Sequence, residues 1–120
     1  MKVNWISGFA FGAALMSVPA LASAADAPPA FGMCKACHSV EAGKNGVGPS
    51  LAGVYGRKAG TLAGFKFSDP HAKSGLTWDE PTLTKYLADP KGVIPGNKMV
   101  FAGLKNPADV AAVIAYLKSL

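Results

Sequence analysis

The chain has 120 residues, enough for one domain and not two. Twelve Lys and Arg against seven Asp and Glu give a net charge of +5, and half of the residues are hydrophobic. The lysines are scattered with no nucleic-acid motif beside them, which argues against a nucleic-acid binder, whereas a mildly basic surface suits an acidic protein partner.

Lys2 precedes an uncharged run from Trp5 to Ala25 that ends in the small residues Ala22, Ser23 and Ala24. A positive start, an apolar centre and a small-residue end are the pattern of a secretory signal. Cleavage is expected after Ala24, so residues 1–24 read as a removable signal and 25–120 as one exported, periplasmic domain. A retained anchor is the alternative, because about 20 apolar residues span a bilayer. Gly8, Gly12, Ser17 and Pro19 make this run a poor permanent helix, and no stable membrane insertion is expected. The remaining domain is marginal by burial alone. A group that binds only the folded state would stabilise it.

Pro29 suits the first turn of a helix, and a short helix is predicted from about Ala30 to His38. The glycines at 43, 46, 48, 53, 56, 60 and 64 mark loops and turns. Loops this long argue against a compact domain unless they wrap something. A helical turn is predicted from Asp69 to Ser74, stopped by Gly75. Thr77 is predicted to cap the next helix, with Glu80 three residues on as in a capping box. Leu83, Tyr86 and Leu87 share one face of it, and Pro90 ends it. The segment "KGVIPGNKMVFAGL" reads as a second loop. Asn106 caps the last helix, with Pro107 at its first position and Asp109 in its first turn. Val110, Val113, Ile114 and Leu117 form its buried stripe. No strand alternation or tight hairpin signal occurs.

Both cysteines of the chain lie in "GMCKACHSV". Cys34-x-x-Cys37-His38 is the haem-attachment pattern. Residues i and i+3 of a helical turn project from one face, so two thiols can reach the two vinyl groups of one porphyrin while the adjacent histidine turns under the ring. A thioredoxin-like redox pair would need a strand before the motif and a helix after it. A zinc site would need four ligands. A structural disulfide would explain neither His38 nor the loops. For a second axial ligand, Met99 in "IPGNKMVF" and His71 in "SDPHAKSG" are both candidates. A histidine–methionine pair raises the reduction potential and fills both axial positions.

Taken in order, "CKACH", "GVGPSLAGVYGRKAG", "GFKFSD", "SGLTWDEPTLTKYLADPKGVIPGNKMVFAG" and "VIAYLK" resemble the class I cytochromes c, from Phe31 to Leu120. The resemblance implies an all-α fold of short helices and glycine-rich loops wrapped around one haem c, covalent through Cys34 and Cys37. It implies His38 as proximal ligand with its other ring nitrogen on the Pro49 carbonyl, and Met99 as distal ligand with the Tyr86 hydroxyl on its sulfur. Arg57, Ser68, Trp78 and Asn97 match positions that meet the haem carboxylates. Leu51 and Phe101 would pack near the ring, and Val113, Tyr116 and Leu117 would close the contact between the terminal helices.

The chain also departs from that family. Phe67 stands where the family often has tyrosine, and His71 where a neutral amide is usual. The glycine and aromatic expected two turns before the motif lack a clear match, with Phe31 and Gly32 lying nearer to it. The implied function is a one-electron carrier, monomeric and not an enzyme. It would shuttle between respiratory or photosynthetic redox proteins with acidic docking faces, steered by Lys44, Lys91, Lys98 and Lys105. A membrane-tethered carrier and a peroxidase-like haem protein are the alternatives.

Overall fold

The computed structural model describes residues 26–120 together with Gly12. The predicted signal and its cleavage point lie outside the described residues. A 3-10 helix, Pro29–Ala36, is followed by α1 (Asp69–Ala72), α2 (Glu80–Ala88), α3 (Pro90–Val93) and α4 (Pro107–Lys118). Among the described residues there is no sheet, only one antiparallel bridge between Lys58 and Thr77.

Each α-helix starts on a side-chain cap followed by a proline in the first two positions. Ser68, Asp79, Asp89 and Asn106 accept from the backbone N–H of His71, Thr82, Gly92 and Ala108. The cap satisfies an otherwise orphaned donor, and proline costs nothing where no intrahelical bond is due.

Two of these starts differ from expectation. Asp79, not Thr77, caps α2. Thr77 and Trp78 are extended and paired with the 56–58 segment: Trp78 N–H donates to Arg57 and Gly56 N–H donates to Trp78, at 2.9 and 2.8 Å. A residue committed to that pairing cannot also begin a helix. Pro90 does end α2, but it also opens α3, because Asp89 between them caps a fresh turn. The segment expected to be loop from Lys91 onward therefore begins inside a helix.

α2 packs against both α4 and α3, and the 3-10 helix crosses α4. The predicted stripe of α4 is buried, with Tyr116 added to it. Phe31 is completely buried and meets Tyr116 edge to face at 4.7 Å. Full burial of such a ring contributes about 1.5–3 kcal/mol. Phe31 thus supplies the contact between the chain ends. Gly32 does not: a Cβ there would meet nothing within 4 Å.

Gly60 is the glycine that seats α1. Its φ is +74°, and a Cβ on it would lie 2.6 Å from the Ala72 Cα. Only glycine lets the two backbones approach so closely. The consequence is that α1, and His71 on it, is drawn against the loop that carries Arg57.

Candidate functional site

The core does not close at its centre. Between the 3-10 helix, α2, α4 and the long loops lies a cleft of about 1340 Å³, open solvent at its mouth included. Its walls are largely apolar, and Leu51, Leu83, Phe101, Val113 and Leu117 are among them.

One wall is the motif turn. The N–H groups of Cys37 and His38 both donate to the Cys34 carbonyl, at 3.1 and 2.9 Å. This single turn brings Cys34, Cys37 and His38 to the same cleft. Burial pushes the Cys34 thiol above its ordinary value, and the nearby Cys37 adds to that against the lowering by a backbone hydrogen bond. That environment disfavours the Cys34 thiolate, the form a nucleophilic thiol would use. Among the described residues, no group of three His, Cys, Asp or Glu could hold a metal ion by itself, which is what a zinc site would need.

His38 is oriented from behind. Its Nδ1 lies 2.7 Å from the Pro49 carbonyl oxygen. A nitrogen facing a carbonyl carries a proton, so Nε2 is the ring nitrogen left to bind a metal. The loop that presents Pro49 is itself braced. Gly48 N–H donates to Cys37 and Leu51 N–H to Ser39, both at 2.8 Å. Ser50, 1% exposed, donates its hydroxyl to the Glu41 carbonyl at 2.6 Å and its N–H to Asn45 Oδ1 at 2.9 Å. Gly48 has no room for a side chain, because a Cβ there would lie 2.5 Å from the His38 ring.

Met99 lines the same cleft. The Tyr86 hydroxyl donates to its sulfur at 3.3 Å. Burial pushes Tyr86 up to about 12, so it remains a protonated donor at any physiological pH. Asn97 fixes the Met99 loop. Its amide donates to the Pro90 and Ile94 carbonyls, each at 2.9 Å, and its Oδ1 accepts from Met99 N–H at 2.8 Å.

Asn97, expected to meet a haem carboxylate, is not among the residues lining the cleft. Its amide is engaged by the turn that follows α3 and its Oδ1 by the Met99 N–H.

Arg57, Ser68 and Trp78 do line the cleft. Arg57 also donates to the Ala52 and Ser50 carbonyls, at 3.2 and 3.4 Å, which ties it to the Pro49 loop. Burial lowers its pKa, yet guanidinium stays charged. His71 lines the cleft as well and stacks on Phe67 at 4.9 Å. Sequence reasoning missed Gly48, Asn45 and Ser50. The only signal for them was their place around Pro49 in "NGVGPS".

The donor set fits a haem. Two thiols and an imidazole on one turn, a thioether on another loop and a largely apolar lining with a few donors share one cleft. Imidazole with thioether is the axial pair of an electron-transfer haem.

A family model for cytochrome c matches residues 24–120. The chain is 88% identical over 96 residues to cytochrome c2 iso-2 of Magnetospirillum molischianum, covering 80% of this chain and 99% of that protein. It is 65% identical over 96 residues to cytochrome c2 of Rhodoplanes tepidamans, covering 79% and 98%. The solved structure of cytochrome cH from Methylobacterium extorquens is similar with a TM-score of 0.73 and 56% identity, over 76% of this chain and 92% of that one. With a cleft of this donor set and this relatedness, the chain belongs to the cytochrome c family, as an all-α one-electron carrier on one covalently bound haem c.

Proposed function

We propose that this carrier works with both axial positions of the haem filled, by His38 and Met99, and that it is not an enzyme. The observation that carries the reading is a pair of hydrogen bonds at one apolar cleft, His38 to Pro49 and Tyr86 to Met99, whose four residues all line it. The haem supplies a single reversible electron. The protein's part is to hold the ligands still and the walls dry. Pro49 and Gly48 fix the imidazole plane, Tyr86 and Asn97 fix the thioether, and Leu51, Phe101 and Leu83 exclude water. Ligands that do not move between oxidation states keep reorganisation small. Arg57, Ser68 and Trp78 are the donors available to the haem carboxylates, which are costly to bury unpaired.

The carrier meets acidic faces of its redox partners as a monomer, through small and short-lived contacts. Of the four candidate lysines, Lys44 is paired with Glu41 at 2.6 Å, which offsets its charge. Lys91, Lys98 and Lys105 are exposed; Lys105 donates to the Ala102 carbonyl at 3.0 Å and keeps its charge, and Lys98 lies at the cleft. Electron-transfer rates to an acidic partner are expected to fall with added salt, and more weakly in Lys98→Gln. Rates indifferent to salt in both would remove the steering role.

The chain is exported, and its signal is removed after Ala24. No described helix is long and apolar enough to cross a membrane. The intact mass of the periplasmic protein tests this. It is expected to equal residues 25–120 plus one haem. A mass that retains the first 24 residues would identify a tethered carrier instead.

A further inference from the structure

His71 is the titratable side chain of the cleft to which no role has yet been given. It sits on α1, and its ring stacks on Phe67 at 4.9 Å with 25° between planes. Trp78 lies 5.9 Å away and Tyr86 is edge-on at 6.4 Å. Three aromatic rings thus hold the imidazole in the cleft wall that also carries Arg57 and Ser68. Its backbone is settled separately, by Ser68 at the N–H and Ser74 at the carbonyl. No hydrogen bond from the described residues fixes the state of the ring. The imidazole is therefore free to take up or release a proton on the haem side.

The surrounding charges are few. On its own element Asp69 and Lys73 are exposed, as are Lys66 on the Phe67 segment, Lys58 on the Gly60 loop and Asp79 beside Trp78. α2 presents Tyr86, protonated up to about 12. The Met99 loop, which approaches α1 where Gly96 lies close to Pro70, carries Lys98. Of these, only Tyr86 and the cations Arg57 and Lys98 line the cleft with His71. Inside that cleft, one unit of positive charge more or less on the iron is a strong perturbation, because a low local dielectric strengthens Coulomb interactions.

We propose that His71 couples a proton to the electron: it binds a proton when the haem iron is reduced and releases it when the iron is oxidised. This rests on the placement of the haem between His38 and Met99. The balance is simple. The oxidised protein with neutral His71, one electron from the donor protein and one proton from solvent give the reduced protein with imidazolium at His71. The charge within the cleft is the same before and after, and no other bond changes. His71 is a tuning residue and not a ligand.

The sign follows. A proton held more tightly by the reduced form raises the potential at low pH. The potential then falls as pH rises through the oxidised-state and reduced-state values of His71. Burial holds His71 below the usual imidazole value, so the window opens on the acidic side of about pH 6.5.

The test measures the midpoint potential of the holoprotein from acid to mildly alkaline pH, together with the His71 ring titration by NMR in each oxidation state. At least tenfold tighter proton binding in the reduced state is expected, which is about 59 mV between the two plateaus for one electron. His71→Asn is expected to abolish the dependence and to sit near the alkaline plateau. Equal His71 titrations in both oxidation states would overturn the proposal, as would a pH dependence unchanged in His71→Asn. The NMR titration needs no variant, so it stands even if His71→Asn folds poorly. These failures would leave the low-spin spectrum of the carrier intact, whereas failure of the axial assignment would alter that spectrum first.

Discussion

Met99→Ala is expected to lower the midpoint potential by a few tenths of a volt, within the ~0.8 V that axial ligation spans. It is also expected to let the reduced protein bind carbon monoxide. The backbone around residue 99 does not depend on the methionine side chain, because Asn97 ties it to Pro90 and Ile94. Truncation therefore removes the thioether and leaves the loop in place. It also leaves the buried Tyr86 hydroxyl without its partner, which costs about 1–3 kcal/mol. Redox titration and carbon monoxide binding read the effect. An unchanged potential would mean that another side chain, His71 first, ligates the iron.

A methyl group at Gly48 is expected to be costly although the substitution is small. The added Cβ would lie 2.5 Å from the His38 Cε1 and 2.8 Å from Nδ1. The ring cannot retreat without losing the Pro49 carbonyl at 2.7 Å. Nor can the loop, since Gly48 N–H is held by Cys37 and its carbonyl by Gly46 N–H. Overpacking of this kind costs about 1–3 kcal/mol, and a tilted imidazole should also shift the potential. Gly32→Ala is the control, because a Cβ there meets nothing within 4 Å. It is expected to stay within about 0.5 kcal/mol of the parent. Denaturant unfolding of the two holoproteins decides, and Gly48→Ala as stable as Gly32→Ala would contradict the wedge of Gly48 against His38.

The parts of this molecule that are legible in its sequence are those decided locally. The Cys34-x-x-Cys37-His38 spacing dictates one turn and one face. Asn106-Pro107 dictates the start of α4, and its apolar stripe dictates what that helix buries. The misses arise where two local rules are both satisfied and a distant residue chooses. Thr77 and Asp79 are both good caps, and the pairing of Thr77 with Lys58 selects Asp79. Pro90 can end a helix or begin one, and with Asp89 before it does both.

At the site, the Asn97 amide could donate to a carboxylate or to carbonyls. The fold of its own loop places the Pro90 and Ile94 carbonyls within its reach, which its sequence neighbours do not reveal. The contact of Gly48 with His38 is between residues ten apart, and one glycine among many gives no sign of it. Phe31 lies nearer the motif than the family pattern places its aromatic, yet its ring still reaches Tyr116, because the contact requires an aromatic surface rather than a fixed offset.

The visible spectrum of the oxidised holoprotein at neutral pH tests the pairing of His38 with Met99 most directly. A low-spin spectrum with the methionine–iron charge-transfer band is the expected result. A high-spin spectrum, or a low-spin one that lacks this band, would contradict it.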